Sequence, residues 1–142
     1  MSNAELVREY FQVWNEEGLG GLVFRYEDFF TDDFEWRPPV TEITGARYIG
    51  RDGFEQYVAD VQESLGDVRA ELQKVTEIAP DAVRVRARVH GEGTSSGAAI
   101  DAIAIGVIRF RDGRECWGWA SYDHATAERV AEAIARGEEA PL

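Results

Sequence analysis

The sequence is poor in cysteine, lysine, histidine and long apolar runs, and each shortage excludes something. Cys116 is the only cysteine, so an intramolecular disulfide and a cysteine-based zinc site are both excluded. Lys74 is the only lysine, which leaves arginine to carry almost all the positive charge. Fifteen basic residues against 27 acidic ones give a formal charge of −12. A nucleic-acid binder needs the opposite footprint to displace counterions from phosphates, and the same charge disfavours docking on anionic membranes. No apolar run approaches the ~20 residues of a bilayer-spanning helix. The start, Met1-Ser2-Asn3-Ala4-Glu5, lacks the basic and apolar regions of a secretion signal. The expectation is a cytoplasmic protein with neither nucleic acid nor membrane as partner. No phosphate-cradling glycine loop, nucleophile elbow or metal-ligand cluster occurs, so those chemistries have no support.

What is present is enough for one packed domain spanning 1–142. The chain has 142 residues, 44% hydrophobic and 11% aromatic, a length at which ~68–70% of the unfolded surface is buried on folding. The N-terminal half reads as helices. Ser2 and Glu5 form a capping box, and Leu6, Tyr10, Val13 and Trp14 then recur at helical spacing. Gly18 and Gly20-Gly21 end that helix. Leu22, Val23, Tyr26, Phe29 and Phe30 suggest a second short helix ending near Asp32-Asp33, Phe34-Glu35-Trp36-Arg37 a short strand stopped by Pro38-Pro39, and residues through Gly45 and Gly50 a loop. Phe54, Tyr57, Val58, Val61 and Leu65 mark a third helix closed by Gly66.

The C-terminal half reads as sheet. Val68 to Ile78 alternates toward a turn at Pro80-Asp81, and Val83, Val85, Ala87 and Val89 alternate with Arg84, Arg86, Arg88 and His90. Gly91 to Gly97 is a polar loop. Residues 98–110 are apolar on both faces, as in a strand covered twice. Asp112-Gly113 is a strong hairpin signal, 114–122 a last strand, and Asp123 the cap of a final helix from His124 to about Arg136. This order predicts an α+β domain: three N-terminal helices packed in the concave face of a strongly curved antiparallel or mixed sheet, with a short C-terminal helix. Because three helices cover one face only, the other face is expected to meet a second copy, giving a homodimer through the sheet.

Four segments in order carry a resemblance to a known family: Leu6-Val7-Arg8-Glu9-Tyr10-Phe11, Phe30-Thr31-Asp32-Asp33-Phe34-Glu35-Trp36-Arg37, Tyr48-Ile49-Gly50-Arg51-Asp52-Gly53-Phe54, and Ile108-Arg109-Phe110-Arg111-Asp112-Gly113-Arg114 continuing to Tyr122-Asp123. With them the chain resembles the SnoaL-like branch of the nuclear-transport-factor-2-like superfamily, the cystatin-like α+β cone, over about residues 4–135. The resemblance implies a cone-shaped half barrel around an apolar pocket. It also implies a small-molecule-binding domain, with cofactor-independent polyketide cyclase, isomerase or dehydratase chemistry by acid/base proton transfer. The alternative is a non-catalytic homodimeric binding or assembly module whose pocket is filled by its own tryptophans.

Within such a pocket the expected partner is a small apolar or aromatic molecule, held by Tyr10, Trp14, Trp36, Tyr57, Trp117 and Trp119. Trp117 and Trp119 share one side of their strand. Opposite them lies a small-sided face of Cys116, Gly118, Ala120 and Tyr122. One face lines the pocket, and the sequence leaves open which. Asp101 interrupts an apolar strand, which would raise its pKa and suit it to acid/base work. His90 sits across the 91–97 loop from it, so Asp101 and His90 are the candidate catalytic pair. The competing reading pairs Asp101 with an arginine at the exposed strand start.

Overall fold

The computed structural model describes residues 1–91 and 99–142; the expected loop at Glu92–Gly97 and the first strand residue, Ala98, lie outside them. Helix α1 (Asn3–Glu17) begins where Ser2 Oγ accepts the Glu5 amide at 3.1 Å. Its far end is tied down by Arg69, whose Nη1 donates to the carbonyls of Trp14 and Asn15 at 2.9 and 2.7 Å. The second predicted helix is split into α2 (Leu19–Phe24) and α3 (Tyr26–Phe29). Strand β1 (Phe30–Arg37) starts four residues earlier than the alternation suggests. The Tyr26 hydroxyl donates to the Thr31 carbonyl at 2.7 Å and pins this junction. The expected loop around Gly45 contains one helical turn, α4 (Thr41–Thr44), and a two-residue strand, β2 (Tyr48–Ile49). Helix α5 (Gly50–Leu65) follows.

Four strands come next: β3 (Arg69–Ala79), β4 (Ala82–Gly91), β5 (Ile100–Arg111) and β6 (Arg114–Ser121). Asp112 and Gly113 both take positive φ, 54° and 77°, the backbone that a tight two-residue hairpin with the strands' twist requires. The sheet order is β2-β1-β6-β5-β4-β3. Only β1 and β6 run parallel, so the sheet is mixed.

Side chains alternate across this sheet into two separate cores. On the concave side, α1, α2 and α5 pack over Phe30, Phe34, Val83, Val85, Ala87, Ile108 and Phe110. On the outer side, α6 (His124–Ala135) lays Ala127, Val130, Ala131 and Ile134 against Ile105, Val107 and Trp119. Asp123 caps α6, its Oδ1 accepting the amides of Ala125 and Thr126 at 3.1 and 3.2 Å. The second cover expected from another subunit is therefore supplied, over Ile105 and Val107, by the chain's own last helix. The final helix was legible as a helix; its docking was not.

Strand β6 carries the irregularity that matters most. Residues 105–109 of β5 pair with 121–117 in regular register, yet Phe110 pairs with Glu115. Cys116 is the extra residue of a β-bulge, and it reverses the alternation N-terminal to itself. Gly118 and Ala120 face inward, and so does Glu115.

Candidate functional site

Between the helices and the concave sheet lies a cavity of about 120 Å³, far above the ~10–15 Å³ that one water needs. Its roof is Tyr10, Phe11 and Trp14 from α1 and Phe54, Tyr57, Val61 and Leu65 from α5. Its floor is made of small residues, Ala87, Ala104, Gly106, Gly118 and Ala120, on the three adjacent strands. The glycines are there for space. A Cβ on Gly118 would stand 3.0 Å from Trp36 Cε3, and one on Gly106 would stand 3.1 Å from the Trp119 carbonyl oxygen. The Trp36 ring lies against the bare backbone of β6 and meets Tyr57 edge-on, with centroids 5.7 Å apart.

The walls are apolar except at a few points. Trp14 directs its indole N–H to the Val68 carbonyl at 2.7 Å, so it packs without an unmet donor. Trp36 differs: its Nε1 is buried and makes no well-formed hydrogen bond, although it faces the Tyr57 hydroxyl closely enough to offset part of the rise in that group's pKa. Glu115 is 2% exposed, and its Oε2 likewise has no partner. Among the described residues these are the two buried side-chain polar atoms left unpaired, and both residues line this cavity. Leaving a buried polar group unmet costs ~1–3 kcal/mol, so two on one wall mark a place built for something more than packing.

Burial alone pushes the Glu115 carboxyl up to about 8. Among the described residues no cation stands beside it to hold the charged form. The Tyr10 hydroxyl is pushed well above its ordinary value by burial and then by the nearby negative charge of Glu115. Tyr57 is also raised, chiefly by burial. Tyr122, also on the wall, is raised by burial, so near neutral pH the site holds a protonated carboxyl and three neutral phenols, all groups that can donate a hydrogen bond to an oxygen.

Tyr10, Trp14, Trp36 and Tyr57 are brought together around the cavity. Trp117 and Trp119 belong to the opposite face. The Trp119 side chain is 2% exposed within the outer core and borders the cavity along its strand, while Trp117 lies under the Arg109 guanidinium, 5.8 Å from the ring centroid. The small-sided face is the one turned inward. Asp101 and His90 are absent from the cavity wall. Asp101 is exposed at the start of β5, with both oxygens on Arg88 at 2.8 and 2.7 Å. That hydrogen-bonded guanidinium holds its carboxyl below the usual range, opposite to the rise expected from apolar neighbours. His90 pairs with Asp101 across β4 and β5, on the same outer face.

Glu115 is the residue the sequence reading missed. Counting by twos back from Ala120 and Gly118 reaches Cys116 and leaves Glu115 beside Trp117 on the outside. Only the bulge at Cys116 turns it in, and a bulge has no sharp sequence signature.

A helix-lined concave mixed sheet enclosing an apolar cavity defines the class, and comparison with known proteins defines the family. The model of the SnoaL-like domain matches residues 7–116, and the chain belongs to that family. Solved structures share the fold at low identity. An NTF2-like protein of unknown function from Burkholderia pseudomallei aligns with a TM-score of 0.71 at 20% identity, over 92% of this chain and 98% of its own. TerC, co-crystallised with polyporic acid, aligns at 0.70 and 19%, over 92% and 98%. A provisionally assigned SnoaL-like polyketide cyclase from a Jannaschia species aligns at 0.67 and 18%, over 92% of each chain. Comparison with curated proteins gives no match.

Proposed function

We propose that this domain binds an apolar, ring-bearing small molecule in the concave cavity and moves a proton on it with Glu115. The observation that carries the reading is the pairing of two unmet buried polar atoms, Trp36 Nε1 and Glu115 Oε2, on one aromatic-walled cavity. TerC, which shares the fold, was co-crystallised with polyporic acid, and this supports a small-molecule ligand for the present chain.

The chemistry follows from the groups. An oxygen of the substrate accepts from the Trp36 N–H, which fixes the ring against β6. The protonated Glu115 donates to a carbonyl or leaving hydroxyl oxygen, and the resulting carboxylate takes a proton from the adjacent carbon. A carboxyl with a pKa near the working pH serves both steps. Tyr10, neutral and close to Glu115, offers a further hydrogen bond to developing negative charge. The reaction class is a cofactor-independent proton relocation that ends in cyclisation, isomerisation or dehydration. The reading as a module plugged by its own tryptophans has less support, because Trp117 and Trp119 project from the other face.

The test is a tryptophan-fluorescence and thermal-shift screen against aromatic polyketides, steroids, terpenoids and small hydroxy-acids. Saturable quenching with a raised melting temperature is expected. With the ligand in hand, Glu115→Gln should keep binding and lose at least a hundredfold in turnover. Full turnover in that variant would remove Glu115 from the mechanism.

A further inference from the structure

We infer that the ligand class of this cavity is an organic cation: an amine or quaternary ammonium group on an apolar body, with an oxygen acceptor close by. The inference rests on the ligand-pocket reading above and narrows it.

Three observations lead there. First, among the described residues no arginine, lysine or histidine lines the cavity, and Glu115 is its one acid. An anionic ligand would enter with no counter-charge and would face a carboxyl. Second, rings form much of the wall, with Tyr10, Trp14, Trp36 and Tyr57 placed to present faces or edges to an occupant. Aromatic faces attract cations through their quadrupoles, most strongly where water is excluded, and such cages are how quaternary ammonium groups are recognised. Third, the Glu115 carboxyl, itself 2% exposed, has an oxygen with no partner. A cation completes this site as a salt-bridge partner would, turning an unmet acid into a paired carboxylate. Near neutral pH Glu115 is protonated, so pairing its carboxylate with an ammonium releases one proton to solvent, and cation affinity rises with pH until the carboxyl is ionised.

Two further features agree. The Trp36 N–H makes no well-formed bond and is free to donate to an oxygen carried by the same ligand, which an ammonium group does not supply. The formal charge of −12 draws cations toward the protein from a distance and raises their rate of encounter.

The experiment compares matched pairs that differ in charge and little else: choline with 3,3-dimethylbutan-1-ol, and phenyltrimethylammonium with tert-butylbenzene. Cyclohexanone serves as an uncharged ring carrying an oxygen. Affinities come from tryptophan fluorescence and calorimetry on the full chain. Each cation is expected to bind at least tenfold tighter than its carbon isostere. Glu115→Gln should bring that ratio close to one and leave the neutral member's affinity within about twofold. Asp101→Asn, which removes a carboxylate from the outer face, should leave the ratio unchanged and so separate the local charge from the overall field. Trp36→Phe covers the case of a misfolded Glu115 variant, and should lower the ratio while Glu115 stays in place. A ratio near one in the unaltered protein, or a preference that survives Glu115→Gln, overturns the inference. Binding of cyclohexanone without the cations overturns it while leaving the pocket reading standing. Failure of every probe overturns both.

Discussion

The two faces of one sheet treat the same residue types in opposite ways. On the outer face, Trp119 is packed beneath α6, and Asp101 has both oxygens on Arg88. Arg84 pairs with Glu128 of α6, and Arg86 donates to Gln73 at 3.0 Å. On the concave face, Trp36 keeps a free N–H and Glu115 an unpaired oxygen. A tryptophan or a carboxylate in the sequence therefore says little by itself. The difference lies in whether the backbone brings a partner within reach. Outside, Arg84, Arg86, Arg88 and Asp101 all have polar side-chain partners. Inside, two polar atoms face the cavity with no protein partner.

The contrast can be broken first at Trp119. Trp119→Ala removes the largest side chain of the outer core, and a loss of about 3–5 kcal/mol is expected by urea unfolding. A loss below 1 kcal/mol would mean that α6 does not hold the sheet as described. Next comes Glu115. Its folded pKa, about 8, lies above the ordinary carboxylate value of 4.5. The folded state thus binds the extra proton between those values, and stability falls as pH rises from about 4.5 to about 8. The full fall approaches about 3–5 kcal/mol. Glu115→Gln should be less pH-dependent by that amount, most visibly near pH 8. Identical pH profiles for the two proteins would mean that the carboxyl is solvated.

A smaller effect is expected at Gly118. The methyl of Gly118→Ala meets the Trp36 ring at 3.0 Å, so the ring must tilt, at a cost of about 1–3 kcal/mol. The reading here is a change in tryptophan emission together with weakened ligand binding. Unaltered emission would detach Trp36 from the floor. The smallest effect belongs to Asp101→Asn. Its side chain is 60% exposed, and exposed ion pairs contribute little. No measurable change in melting temperature is expected at physiological salt. A drop of several degrees would show that the outer charges hold the sheet after all.

Much of this was legible in the chain. The Ser2 cap, the α5 stripe, the Asp112-Gly113 turn and the Asp123 cap are local signals, and local chemistry decides them. The inward aromatic set Tyr10, Trp14, Trp36 and Tyr57 follows from periodicity along α1, β1 and α5. The small-sided face of β6 was visible too, but choosing its direction required knowing what covers each side. That choice is tertiary, made by α6. Asp101 misled because an acid amid apolar neighbours looks buried, whereas Arg88 meets it at the strand's exposed start. Glu115 was hidden for a different reason: strict alternation along β6 fails at one residue.

That one residue sets a reading frame for the cavity. Below Cys116, which side chains face inward depends on how the strand is paired, independently of what they are. Deleting Cys116 would leave Glu115 opposite Phe110 and still facing inward, whereas pairing Cys116 with Phe110, with Trp117–Ser121 held in register, would put a thiol in that place and turn the carboxyl to the outer face. The chemistry of this fold can thus change by a one-residue shift in strand pairing, without a single substitution among the residues that touch the ligand.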